Sequence, residues 1–184
     1  LVLAAAMISI VLNPFAFALS RRLEPHLEAR VGARGKAAAE PGARLPARGH
    51  SILVGYGRVG KIVAAALAKS GVPFVVFESD ALRIGELRER GIPFVEGNAA
   101  SREMFEQANP GTAARVVIAI PNAFEAGRIV KHARRANPGV VIVARAHSDP
   151  EIRHLRELGA NTVIMGERQI ALEMIAEIER LGPA

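Results

Sequence analysis

"ILVGYGRVGKIV", residues 52–63, decides how the rest of the chain is read. It runs from a short β-branched stretch into a G-x-G-x-x-G at Gly55, Gly57 and Gly60. A helical pattern follows, with Val59, Ile62, Val63, Ala66 and Leu67 at the i, i+3, i+4 spacing of one buried face. Strand, glycine turn and helix in that order make the loop a candidate phosphate cradle, where a lone glycine motif would say little. Gly55 permits the tight turn, Gly57 lets backbone approach a phosphate, and Gly60 lets helix and strand pack closely. The helix opening near Arg58 turns free N–H groups and its positive dipole end toward the anion, and Arg58 can add a direct charge.

Downstream, short apolar runs alternate with helical segments. Strands are expected at Ser51–Val54, Phe74–Phe77, Pro93–Glu96, Arg115–Ile120, Val140–Ala144 and Thr162–Met165. Gly71, Gly91 and Gly159 stand where helix C-termini are wanted. Asp149-Pro150 reads as an N-cap followed by proline at the first helical position. A last amphipathic helix, Arg168–Leu181, carries Ile170, Ala171, Met174, Ile175 and Ile178 on one face, suited to its own sheet or to a partner subunit. Six strands alternating with helices give an α/β fold with a Rossmann-like, doubly wound parallel six-stranded sheet.

In such a sheet a ligand lies beyond the carboxyl ends of the strands, at the switch in strand order. Glu78, eighteen residues after Gly60, ends the second strand, where a carboxylate accepts hydrogen bonds from ribose hydroxyls and repels a 2′-phosphate. That favours NAD or an adenosine nucleotide over NADP. Ser79 and Arg83 stand close enough to assist, but surface or helix-start chemistry explains each of them better. Gly97, Asn98 and Ala99, after the third strand, would pass beside the adenosine or form an ordinary polar turn. Asn122 and Glu125 have N-cap to N3 spacing, which a capping box explains, and Glu125 lies on the crevice side.

Composition narrows the function. The 184 residues are half apolar, enough for one domain and an appendage, and contain no cysteine. Disulfides, thiolate metal sites and a cysteine nucleophile are thereby excluded. The five histidines show no metal-ligand spacing, and no G-x-S-x-G is present. A dehydrogenase needs a proton donor or acceptor at the nicotinamide, and only His147, after the fifth strand, offers one. No substrate domain follows the sixth strand, so an NAD-dependent oxidoreductase is the weaker alternative and the chain is read as a non-enzyme.

The net charge of +6 is uneven: seven Lys/Arg face three Glu between Arg21 and His50, a local +4. The first nineteen residues carry no charge, and as a helix they would span roughly 28 Å, close to a hydrocarbon core. Arg21 and Arg22 follow at once, as at a cytoplasmic exit. Residues 1–20 are therefore expected to be a transmembrane helix, with a buried soluble helix as the alternative. Residues 21–49, basic and with four Gly and two Pro from Ala29 to Gly49, read as a linker, and 50–184 as the folded domain. Basic charge beside an apolar run points to a membrane surface and not to nucleic acid.

"HSILVGYGRVG", "FVVFESD", "VEGNAA", "AIPNAFEAG", "VIVARAH" and "GANTVIMGER" together resemble the nucleotide-binding domain that regulates potassium conductance, known as RCK, KTN or TrkA-N. More narrowly, they are similar to the C-terminal part of monovalent cation:proton antiporters of the Kef/YbaL type. The resemblance covers residues 50 to about 180, and the apolar start is similar to the last transmembrane helix of a transport domain. It implies a regulatory domain that binds AMP or NAD(H), works as a homodimer and biases the attached transport unit in a cell inner membrane, with residues 21–184 cytoplasmic. Carried over by position, it places the ligand against Gly55, Tyr56, Gly57, Arg58, Val59 and Gly60, at Glu78 and Ser79, and beside Asn98 and Ala99. Glu125 and Arg145 lie around the same crevice. Many members of the family carry Asp where Asn98 stands, so their ligand preference does not transfer directly. A soluble nucleotide-binding adaptor of a separate transporter is the other reading, and the apolar start argues against it.

Overall fold

A computed structural model describes residues 45–182. The expected transmembrane helix at 1–20 and most of the 21–49 linker lie outside the described residues. Among the described residues no helix is long and apolar enough to cross a membrane.

The elements alternate as expected: β1 (Ser51–Val54), α1 (Arg58–Lys69), β2 (Phe74–Glu78), α2 (Ala81–Glu89), β3 (Phe94–Glu96), α3 (Arg102–Glu106), β4 (Arg115–Ile118), α4 (Ala123–Ala136), β5 (Val141–Ala146), α5 (Asp149–Glu157), β6 (Thr162–Met165) and α6 (Gly166–Leu181). The six strands form one sheet in the order β3-β2-β1-β4-β5-β6, and every pairing is parallel. Chain direction across the sheet reverses between β1 and β4, which opens a crevice at their carboxyl ends. β1 and β2 are buried at every position, as strands covered on both faces must be.

Side chains alternate between two cores. Ile52, Val54, Val75, Phe77, Val116, Ile118 and Ile142 face α4 and α5 through Ile129, Val130, Ile152 and Leu155, with Phe77 stacked on Phe105 of α3 at 5.9 Å. Leu53, Phe74, Val76 and Phe94 face α1 and α2 through Ala64, Ile84 and Leu87. Three helices end alike: Val72, Ile92 and Ala160 each donate an N–H five residues back, across Gly71, Gly91 and Gly159.

Several expectations are corrected. The buried face of α1 is formed by Gly60 and Ala64, with Val63 and Leu67 packed beside them. Val59 is 40% exposed, Ile62 72% exposed, and Ala66 is exposed too. The helix lies so close to the sheet at Gly60 that its smallest residues face inward, and bulky ones turn out. The cap of α5 is Ser148, whose hydroxyl accepts from the Glu151 N–H at 3.4 Å, so Asp149 is the first helical residue and not the cap. β4 stops at Ile118, two residues early, while β5 runs on to Ala146. The last five residues before His50 lie on the domain: Leu45 packs against the larger core and the Ala47 carbonyl accepts from Thr112 Oγ1. Helix α6 buries none of its residues, leaving Ile170, Leu172, Met174, Ile175, Ile178 and Leu181 exposed.

Candidate functional site

The glycine turn is shaped by two contacts that exclude a side chain. Gly55 has φ +93°, and a Cβ there would lie 2.9 Å from Ile120 Cγ2. A Cβ on Gly60 would land on the Gly55 carbonyl oxygen. Together these pull the first turn of α1 against the end of β1. Gly57 differs: the nearest atom to a Cβ there is Arg83 Nη1, at 4.0 Å, so its outer side is open to an incoming group. Gly57 caps α1 without a side-chain hydrogen bond, and the first turn carries no acidic residue. The positive end of the helix therefore meets no side-chain acceptor of its own.

Glu78 is the electrostatic centre of the site. Its side chain is only 6% exposed, and both oxygens are engaged. Oε2 accepts from the Tyr56 N–H at 2.7 Å and from Arg83 Nη1 at 3.4 Å. Oε1 accepts from the N–H groups of Ser79 at 2.8 Å and Asp80 at 3.0 Å. Burial opposes the charge, but the N–H groups of Asp80, Tyr56 and Ser79 and the Arg83 guanidinium outweigh it and hold the carboxyl below the ordinary glutamate range. The carboxylate thus ties the glycine turn after β1 to the entry of α2, which Asp80 caps through the Arg83 N–H.

On the other wall, the Asn98 side chain accepts from the Ala100 N–H at 2.8 Å and donates to Glu125 Oε1 at 3.1 Å. The expected capping box is half formed. Asn122 accepts from the N–H groups of Phe124 and Glu125, while the Glu125 carboxylate reaches across to Asn98. This gives a physical reason for asparagine at position 98: an aspartate would set one carboxylate against another. The cleft between these walls is about 110 Å³ and is lined by Val54, Gly55, Phe77, Glu78, Ser79, Gly97, Asn98, Ala99, Ile120 and Glu125.

Six of the expected ligand residues, Gly55, Glu78, Ser79, Asn98, Ala99 and Glu125, therefore meet in one cleft. Gly57, Arg58, Val59 and Gly60 form its glycine-turn shoulder, with Arg58 and Val59 exposed. Tyr56 contributes its N–H to Glu78, while its ring is buried on the α1–α2 side with Lys61 Nζ 5.7 Å from its centroid. Arg145 is not in the cleft lining; it lies on β5, beyond β4, and its charge acts on Glu167. His147 is likewise outside, its Nδ1 3.3 Å from Glu167 Oε1. Gly97 lines the cleft as expected, while the apolar floor residues Val54, Phe77 and Ile120 carry no signal in their type that distinguishes them from core. Among the described residues no group of His, Asp or Glu could hold a metal ion.

Comparison with known proteins agrees with this geometry. Residues 51–166 match the model of the TrkA-N domain. The putative cation/proton antiporter YbaL of Escherichia coli K12 is 44% identical over 181 residues, 97% of this chain, and the chain spans 32% of YbaL's length. The crystal structure of the TrkA-N domain of E. coli YbaL superposes with a TM-score of 0.69 at 46% identity, covering 71% of this chain and 97% of that one. The Kef C-terminal domain of Shewanella denitrificans, in an AMP-bound form, gives a TM-score of 0.63 at 26% identity, over 73% of this chain and 82% of its own. With its parallel sheet, its glycine turn and this match over most of the folded region, the chain belongs to the TrkA-N domain family.

Proposed function

We propose that residues 50–184 are the ligand-sensing domain of a potassium efflux or cation:proton antiporter, and that an adenine nucleotide, AMP or NAD(H), binds at the glycine turn. The observation that carries this reading is Glu78, a buried carboxylate fixed by the backbone of the turn and facing an open cleft. In that place it would take ribose hydroxyls, while Gly57 and the uncapped start of α1 would take the phosphate. Asn98 and Ala99 would flank the adenosine. AMP in the related Kef domain and the antiporter name of YbaL support the same reading. Glu78 would repel a 2′-phosphate, which disfavours NADP.

Regulation would work as a population shift: nucleotide would favour one arrangement of the domain, and residues 21–49 would pass that bias through the apolar stretch 1–20 to a transport domain. The domain would lie on the cytoplasmic side of the inner membrane. It would also pair with a second copy. The exposed apolar residues of α6 support that pairing, as does the uncovered sheet face at Val141 and Ile164, 49% and 42% exposed.

Calorimetric titration of the chain with AMP, ATP, NAD⁺, NADH and NADP⁺ tests the reading. AMP or NAD(H) should bind and NADP⁺ should not, and Glu78→Ala should abolish the heat. Absence of binding by all five would remove the sensor assignment. Deleting residues 1–20 should release the chain from membranes; a chain found soluble before that deletion would favour the adaptor reading.

A further inference from the structure

A carboxylate offers about four lone-pair positions, and all four on Glu78 are occupied, by Tyr56, Ser79, Asp80 and Arg83. A ribose can reach Glu78 only by displacing one of them. Three are backbone donors in the glycine turn and the entry of α2, and releasing any of them means moving main chain. The fourth, Arg83 Nη1, is the longest contact, at 3.4 Å, and belongs to a side chain 44% exposed. Arg83 is the partner that can leave.

Its position suits a second role. The same Nη1 lies 4.0 Å from where a Cβ on Gly57 would stand, so the guanidinium hangs between the carboxylate and the open side of the turn. Its remaining N–H donors meet no acceptor among the described residues. A planar fork of free donors beside a glycine turn matches the oxygens of a phosphate, where a lysine would offer a point charge.

We propose that Arg83 is a phosphate-binding residue that exchanges partners on ligand entry: a ribose hydroxyl takes its place on Glu78, and the freed guanidinium pairs with a phosphate carried on that ribose. This rests on the nucleotide reading above and adds the residue that tells a nucleotide from a nucleoside. Arg83 stands in the first turn of α2, so the exchange alters the charge at the start of that helix.

The test is titration of the chain and of its Arg83→Gln and Arg83→Lys variants with adenosine, 5′-AMP and 2′-AMP. Arg83→Gln should weaken the tighter-binding monophosphate by about tenfold or more. Adenosine should bind Arg83→Gln as well as it binds wild type, or more tightly, because Glu78 has lost its competitor. Arg83→Lys should recover part of the loss. A loss confined to 5′-AMP places the phosphate at the glycine turn, and one confined to 2′-AMP places it at the end of β2. Equal weakening of adenosine and both monophosphates would overturn the proposal, as would no change in any of them. If wild type binds none of the three, the proposal falls, and the nucleotide reading falls with it only where ATP, NAD⁺, NADH and NADP⁺ fail to bind as well.

Discussion

The carboxyl ends of β2 and β5 hold charged residues in opposite ways. At the end of β2, Glu78 is buried and receives three backbone N–H groups and a guanidinium. At the end of β5, the Arg145 guanidinium acts on Glu167 through its charge, and His147 meets Glu167 at 3.3 Å. The His147 N–H donates to the Glu151 carboxylate at 2.7 Å, one main-chain group held by a side chain where Glu78 holds three. Deeper burial makes each polar contact at Glu78 costlier to lose than those at the half-buried end of β5. The glycine turn after β1 folds over the end of β2, where the Tyr56 N–H reaches Glu78, while the end of β5 is met by side chains of α5 and α6.

The comparison can be broken most forcefully at the turn. Gly60→Val should destabilise the domain by about 3 kcal/mol in urea denaturation, because its Cβ has no room beside the Gly55 carbonyl. A well-folded variant would mean that α1 can lift off the sheet. Next, Glu78→Ala should cost roughly 2–3 kcal/mol by leaving buried N–H groups of the turn without an acceptor, with Glu78→Gln recovering part.

The same residue gives a pH signature. The folded chain holds the Glu78 proton more weakly than the unfolded one. Its stabilisation is therefore complete above the ordinary glutamate range and is lost as pH falls through the lowered native value. Glu78→Gln should flatten the acid limb of a stability–pH curve, and an unchanged limb would show that other carboxylates set it.

Smaller effects lie farther from the turn. Asn98→Asp should cost less than about 1 kcal/mol, since its repulsion with Glu125 is partly solvated. Adding salt should narrow the difference, and a salt-independent loss would point to the Ala100 turn. Arg145→Ala and His147→Ala should each stay within about 0.5 kcal/mol of wild type. AMP affinity should not follow either change. A marked fall with Arg145→Ala would bring β5 into the site, as the family resemblance suggested.

Much of this was legible in residues 51–63 and 74–78, because a glycine turn constrains backbone and the backbone then dictates its neighbours. The strand candidates all formed, with ends displaced by one or two residues where hydrogen bonding, and not apolar content, sets the limit. The buried face of α1 was misread for an instructive reason. Periodicity assigns large residues inward, but close approach at Gly60 admits only small ones, and Ile62 was left in solvent. The saturation of Glu78 had no sequence signal, since three of its partners are main-chain groups that any residue supplies. Arg83 was visible only as a nearby charge.

The central claim is that the nucleotide occupies the cleft between the glycine turn and Asn98. The most direct test is an amide NMR titration of ¹⁵N-labelled chain with AMP. The largest shifts should fall on Gly55 to Gly60, Ser79, Asp80 and Asn98 to Ala100, with α5 and β6 nearly still. Saturable shifts centred on β5, β6 or α6 with the glycine turn unmoved would contradict it.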